Sequence, residues 1–263
     1  MPRKRFWSEL KTTEFAALDP HATIAILPVA ATEQHGPHLP VATDTALMGG
    51  MIATVLDRLP DDLDVLFLPI QAIGKSNEHL RSPGTLTLSA NLLIDAWCAI
   101  GEGVHRAGLR KLVMINSHGG NSEVMAIVAR ELRVRFNMLV ATTQWRRFGV
   151  PADTFAAFDT MHGIHAGDIE TSLMLHFHPN LVDMSQAKNF TSSAVGMANE
   201  FTHLRPIGTH PFGWIAPDLN PDGAVGDASA ATAAKGRATA EYQADGFIAL
   251  LRDVVQFPLD RLT

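Results

Sequence analysis

The chain has 263 residues, 46% of them hydrophobic and 18% charged, with a formal net charge of −6. That length can bury a large apolar core in an ordinary globular composition, and the acidic balance argues against nucleic acid or an anionic membrane as partner. No run of about 18 apolar residues occurs, so no membrane-spanning helix is expected, and a single cysteine, Cys98, excludes an internal disulfide and fits a cytoplasmic protein.

The basic start, Arg3-Lys4-Arg5 after Met1 and Pro2, lacks the apolar stretch of a secretion signal and reads as a frayed end. Residues 22–31 form an apolar run that reads as a buried strand. A helix is expected over 44–59, with Leu47, Met51, Val55 and Leu56 on one face. A short strand over 65–70 leads into a polar loop, 74–84. A long helix spans 89–106 and stops at Gly108; Cys98 lies in its apolar pattern as an inert buried thiol. A third strand is expected over 111–115, a helix over 121–136 with Asn121 as its N-cap, and a fourth strand over 138–143. Beyond residue 145 the pattern loosens. Residues 167–177 can be one helix, 180–227 look irregular, and 228–256 read as a terminal helix weakened by Gly236 and Gly246. The alternating order implies an α/β fold with parallel strands and right-handed crossovers, taken here as one domain over 1–263.

In open parallel sheets, ligands bind beyond the carboxyl ends of the strands. The polar clusters of this chain fall at that edge. Glu33-Gln34-His35-Gly36-Pro37-His38-Leu39-Pro40 follows the first strand, with Asp44 soon after, and Asn116-Ser117-His118-Gly119-Gly120-Asn121 follows the third. In an extended segment Glu33 and His35 point to the same side. Any of these residues alone could cap a helix or bond a loop. Together, Glu33, His35, Asp44 and His118 concentrate carboxylate and imidazole where a cation is needed to neutralise them, a ligand set suited to Zn or Mn. Gly119 and Gly120 allow a tight turn, and backbone N–H groups there could also face a developing oxyanion.

His165-Ala166-Gly167-Asp168-Ile169-Glu170-Thr171-Ser172 opens the helix expected after residue 167. Glu170 there either partners the helix start or completes the metal site. His165, on the preceding loop, is a candidate proton shuttle. Ser76, Glu78 and His79, on the loop after the second strand, are candidates for substrate contact. Trp145, at the end of the fourth strand, could reach the edge of the site. Other tryptophans and histidines read as core or surface. No GxGxxG, GxxxxGK[ST] or GxSxG occurs.

These motifs, with Glu78-His79, Pro83-Gly84-Thr85 and Gly223-Ala224-Val225-Gly226-Asp227, resemble the creatininase family of metal-dependent amidohydrolases over residues 33–227. The resemblance implies a three-layer α/β/α fold with a mainly parallel central sheet, a homohexamer, and a centre of two divalent ions, Zn or Mn. It implies Glu33, His35, Asp44 and His118 as ligands, with Asp44 bridging, and His165 as the proton-transferring group. Creatinine-hydrolysing members carry a glutamate ligand where this chain has Gly120. Glu170 is the replacement that the resemblance suggests, and the departure at Gly120 counts against creatinine as the substrate without excluding it. The expectation is hydrolysis of a C–N bond in a small, cyclic amide. Hydrolysis of a ring C–C or C–O bond or of a short peptide is the alternative within enzymes, and a non-catalytic small-molecule binder the alternative outside them.

Overall fold

A computed structural model describes residues 3–262. Its elements in chain order are β1 (Ile24–Val29), α1 (Thr43–Arg58), β2 (Val65–Phe67), α2 (Ala90–Arg106), β3 (Lys111–Asn116), α3 (Ser122–Phe136) and β4 (Leu139–Gln144). There follow the short α4 (Ala157–His162), α5 (Asp168–Phe177), β5 (Asn189–Phe190), α6 (Ala194–Glu200), α7 (Ala216–Leu219), β6 (Gly226–Asp227) and the long α8 (Ala233–Gln256). The main sheet runs β2-β1-β3-β4, every pair parallel; β5 and β6 form a small antiparallel pair.

The strand pattern explains the three layers. Every residue of β1 and β3 is buried, as expected of central parallel strands covered on both faces. Alternate residues serve opposite layers. Ile24 and Ile26 of β1 pack with Val113 and Ile115 of β3 against α1, α5 and α8. Ala25, Leu27 and Val29 pack with Leu112 and Met114 against α2 and α3. Each fully buried Ile or Leu stabilises by about 1.5–3 kcal/mol relative to exposure. The helix ends follow local chemistry: the Ser89 side chain accepts the Leu92 N–H at the start of α2, and Asn137 adopts φ 53° beyond α3.

The terminal helix departs from expectation in an instructive way. It starts at Ala233 rather than 228 and runs unbroken through Gly236 and Gly246. A Cβ at Gly236 would overlap the Ser172 carbonyl of α5, and one at Gly246 would press on Phe148. These glycines are sites of close packing, not breaks. β2 ends at Phe67, three residues short of the expected strand. Arg3, Lys4 and Arg5 are not frayed: Arg3 pairs with Asp64 at 2.8 Å, Lys4 pairs with Glu14, and the Arg5 carbonyl accepts the Phe67 N–H. Met1 and Pro2 lie outside the described residues. Among the described residues no helix is long and apolar enough to cross a membrane.

The strand order positions the site. From β1 the chain adds β2 on one side and β3 on the other. The crevice between the carboxyl ends of β1 and β3 is therefore the topological switch point where open α/β sheets bind ligands.

Candidate metal centre

Three loops from the carboxyl edge and one from beyond β4 converge on Glu33. The Nδ1 of His118 lies 3.1 Å from Glu33 Oε1, the Nε2 of His79 lies 3.5 Å from it, and the Nδ1 of His165 lies 3.6 Å from it. His118 Nδ1 is also 3.7 Å from Asp44 Oδ2, and His35 Nε2 is 3.8 Å from Asp44 Oδ1. Glu33, His35, Asp44, His118 and His165 are only 1–8% exposed. Glu33, His35 and Asp44 offer ligand atoms within 4.8 Å of one another, as do His35, His165 and Glu170.

Backbone contacts aim the imidazoles. His118 Nε2–H donates to the Lys75 carbonyl at 2.8 Å, leaving Nδ1 toward the carboxylates. His35 Nδ1–H donates to the Glu33 carbonyl at 3.0 Å, leaving Nε2 toward Asp44. His165 Nε2–H donates to the Gln34 carbonyl at 2.7 Å, leaving Nδ1 toward Glu33. A carbonyl can only accept, so each contact fixes which nitrogen carries the proton in the neutral ring and which lone pair faces inward.

The cluster is short of positive charge. Both Glu33 carboxylate oxygens, Asp44 Oδ2 and His35 Nε2 are buried without a hydrogen-bond partner. The 3.1 Å approach of His118 to Glu33 is an ion-pair distance, without the alignment that would satisfy the oxygen as a hydrogen bond. Burial, then the charge of Glu33, pushes the Asp44 carboxyl well above its ordinary value. Burial disfavours a charged His118, but Glu33, Asp44 and Glu78 outweigh it and push the imidazole up to about 10. Burial also acts to raise Glu33, yet His118, His165 and His79 hold it below the usual carboxylate range. Burial, then His165, holds the His35 imidazole well below its ordinary value, so that ring stays neutral. Neutral imidazole and orphaned carboxylate oxygens fit a divalent cation, which would supply the missing partner.

Most residues expected at the site are brought together. One Glu170 carboxylate oxygen accepts the Ala166 N–H at 2.5 Å just before α5, and the residue lies within ligand reach of His35 and His165. Ala166 takes φ 55°, a left-handed conformation that this bond helps to hold. Ser76 Oγ is 3.4 Å from His118 Nε2, and Glu78 Oε1 is 3.6 Å from the same nitrogen. Gly120 makes room for this loop, since a Cβ there would overlap the Lys75 carbonyl and the Glu78 carboxylate. Gly119 is under no such constraint.

Two expectations are corrected. Trp145 is buried in the core, edge-on to Phe247 at 5.2 Å, because the end of β4 packs on α8 rather than on the crevice. Asn121 holds the N-cap position of α3, but its side chain makes no capping hydrogen bond. Its Oδ1 instead accepts the Lys75 N–H at 2.9 Å and its Nδ2 donates to the Ala30 carbonyl at 3.0 Å, tying the ends of β1 and β3 to the loop that carries Ser76. Sequence reasoning passed over Gln34. The chain leaves strand geometry after Val29, so alternation does not show that its amide turns inward to reach His79 and Gly223. His38, in the same cluster, is buried, with Nε2 3.0 Å from Thr171 Oγ1 and the ring stacked on Phe190.

A family model described as creatinine amidohydrolase matches residues 8–251. The chain is 31% identical over 234 residues to a mycofactocin precursor peptide peptidase of Mycolicibacterium smegmatis, covering 88% of this chain and 85% of that protein. It is 27% identical to a 3-dehydro-scyllo-inosose hydrolase of Thermotoga maritima (91% and 80% covered) and 31% identical to a creatinine amidohydrolase of Pseudomonas putida (71% and 76% covered). Among solved structures, a creatininase described with Mn superposes with a TM-score of 0.75 at 25% identity, covering 97% of this chain and all of that one. A mutant creatininase of the Zn-Zn type gives 0.77 with the same identity and coverage.

Proposed function

Given that this chain belongs to the creatininase family of metal-dependent hydrolases, we propose that it hydrolyses the C–N bond of a small amide, with two divalent ions, Zn or Mn, held by Glu33, His35, Asp44, His118 and Glu170. The observation that carries this reading is the set of buried, unpartnered lone-pair atoms: both Glu33 oxygens, Asp44 Oδ2 and His35 Nε2. Bound there, such ions supply acidified water and a polarised carbonyl. Asp44 lies between His35 and His118, which supports it as the shared carboxylate. The neutral ring of His165, with Nε2–H on the Gln34 carbonyl, turns its Nδ1 lone pair to the centre of the cluster and is suited to take a proton from the attacking water and pass it to the leaving nitrogen. Ser76, Glu78 and His79 line the substrate side, with backbone N–H groups at Gly119 and Gly120.

A cyclic amide is the first reading. A short peptide is the second, favoured by the peptidase named among the relatives. Both break the same bond with the same groups. Metal-loaded protein should cleave members of a panel of lactams, formamides and short peptides. Activity confined to lactones or cyclic diketones would replace the C–N reading, and absence of metal by elemental analysis with tight ligand binding would replace catalysis by binding.

We also propose that the protein is cytoplasmic and, as the resemblance implies, a homohexamer. The unpaired Cys98 supports a reducing compartment, and the exposed Leu80, Leu86 and Leu92 support burial against further copies. The mass in solution tests the assembly.

A further inference from the structure

In their neutral forms, three of the four imidazoles of the cluster turn a lone pair inward; His79 does not. The cause is Gln34, buried beneath the ring. Its amide orientation is fixed by two groups of unambiguous polarity: Oε1 accepts the Gly36 N–H at 2.9 Å, and Nε2 donates to the Gly223 carbonyl at 2.8 Å. One amide hydrogen remains, and Nε2 lies 2.7 Å from His79 Nδ1. That nitrogen must therefore accept. The neutral ring carries its hydrogen on Nε2, the atom that faces Glu33. The 3.3 Å approach of Gln34 Nε2 to His165 Nε2 joins two donors and is no hydrogen bond, since His165 already donates to the Gln34 carbonyl.

We propose that Gln34 is a positioning residue that sets the protons of two stacked histidines in opposite senses: its side chain makes His79 a permanent N–H donor into the site, and its backbone carbonyl makes His165 an acceptor there. The two rings lie 4.4 Å apart at 28°, so donor and acceptor are held side by side before substrate arrives. Resting on the hydrolase reading above, the assignment gives His79 a definite task. It donates a hydrogen bond to the amide carbonyl oxygen as that oxygen gains negative charge, and it keeps its proton throughout. The proton lost by the attacking water resides on His165 Nδ1 and leaves with the amine once the C–N bond breaks. His79 is thereby excluded as a metal ligand through Nε2. Gly223 is part of the device, because with φ 79° it lies against the Gln34 amide and a Cβ there would overlap it.

Neutron diffraction from deuterium-exchanged, zinc-loaded crystals tests this without substrate. Deuterium on His79 Nε2 alone, with no metal on that ring, is the expected result; deuterium on His79 Nδ1, or zinc bound to His79, overturns the proposal. In Gln34→Glu the carboxylate cannot donate, so deuterium should move to His79 Nδ1; an unchanged map overturns the role of Gln34. On a cleaved amide, Gln34→Glu and His79→Phe should each lower kcat by about 10²–10³, the loss typical of one oxyanion donor. KM should change far less, and His79→Gln, which keeps an N–H near the same point, should recover part of kcat. A loss that falls on KM alone overturns the carbonyl-donor role. If no amide is cleaved, the hydrolase reading fails while the diffraction result still decides the proton positions.

Discussion

His118 and Glu33 meet at 3.1 Å, imidazole nitrogen against carboxylate oxygen, both closed off from solvent. In the metal-free protein this pair holds a proton that a bound cation would displace, and several consequences of that exchange are measurable.

Zinc binding should release protons. With its imidazole pushed up to about 10, His118 is protonated through the neutral range, and its Nδ1 can coordinate only after losing that proton. Calorimetric titration of metal-free protein in buffers of different ionisation enthalpy, at about pH 8, should show release of roughly one proton per chain from this group. His118→Ala should abolish that component and lower the metal content measured by elemental analysis. Equal proton release in the variant would remove His118 as the source.

Asp44→Asn should stabilise the metal-free protein while weakening metal binding. Burial and Glu33 raise the Asp44 carboxyl well above its ordinary 3.8. A group shifted that way contributes stability below its ordinary value and loses it as pH rises through the folded value, so near neutral pH the ionised form opposes folding. Asparagine removes that charge. The metal-free variant should melt a few degrees above the metal-free parent near neutral pH, at about 2–4 °C per kcal/mol for a chain of this size. The advantage should shrink on acidification, and zinc should raise the melting temperature of the parent more than that of the variant.

His165→Ala should keep its metal and lose turnover. The loss expected for a positioned proton-transfer group is about 10²–10⁴-fold in kcat. Elemental analysis and steady-state kinetics on the same preparation separate this from loss of the ions. Full activity would remove His165 from the reaction.

Gly120→Ala should damage the loop that carries Ser76, Glu78 and His79. The added methyl meets the Lys75 carbonyl and the Glu78 carboxylate, and forced overpacking of this kind costs about 1–3 kcal/mol. Thermal unfolding should register that loss, with turnover reduced alongside it. A neutral outcome in both measurements would show that the loop moves aside freely.

Much of the frame was legible because it follows from burial and period. β1 and β3 read as apolar runs because both faces of the sheet are covered, and Ser89 and Gly108 marked the ends of α2. The ligand types at the carboxyl edge were legible because few roles other than cation binding bring carboxylate and imidazole together behind two different strands. What stayed hidden depends on contacts between segments distant in sequence. Gly236 and Gly246 looked like helix breakers because their partners, Ser172 and Phe148, lie on other elements. Trp145 looked peripheral because nothing local says that α8 covers the end of β4. Gln34 gave no signal, since its three partners come from residues 36, 79 and 223.

The backbone-to-backbone seating of Gly236 on Ser172 also bears on where the chain can be cut. Helix α5 carries Glu170 near its start, and α8 lies directly behind it. The final thirty or so residues hold none of the proposed chemistry, yet they are the wall against which that glutamate is braced. A shortened chain lacking them would leave α5 unsupported.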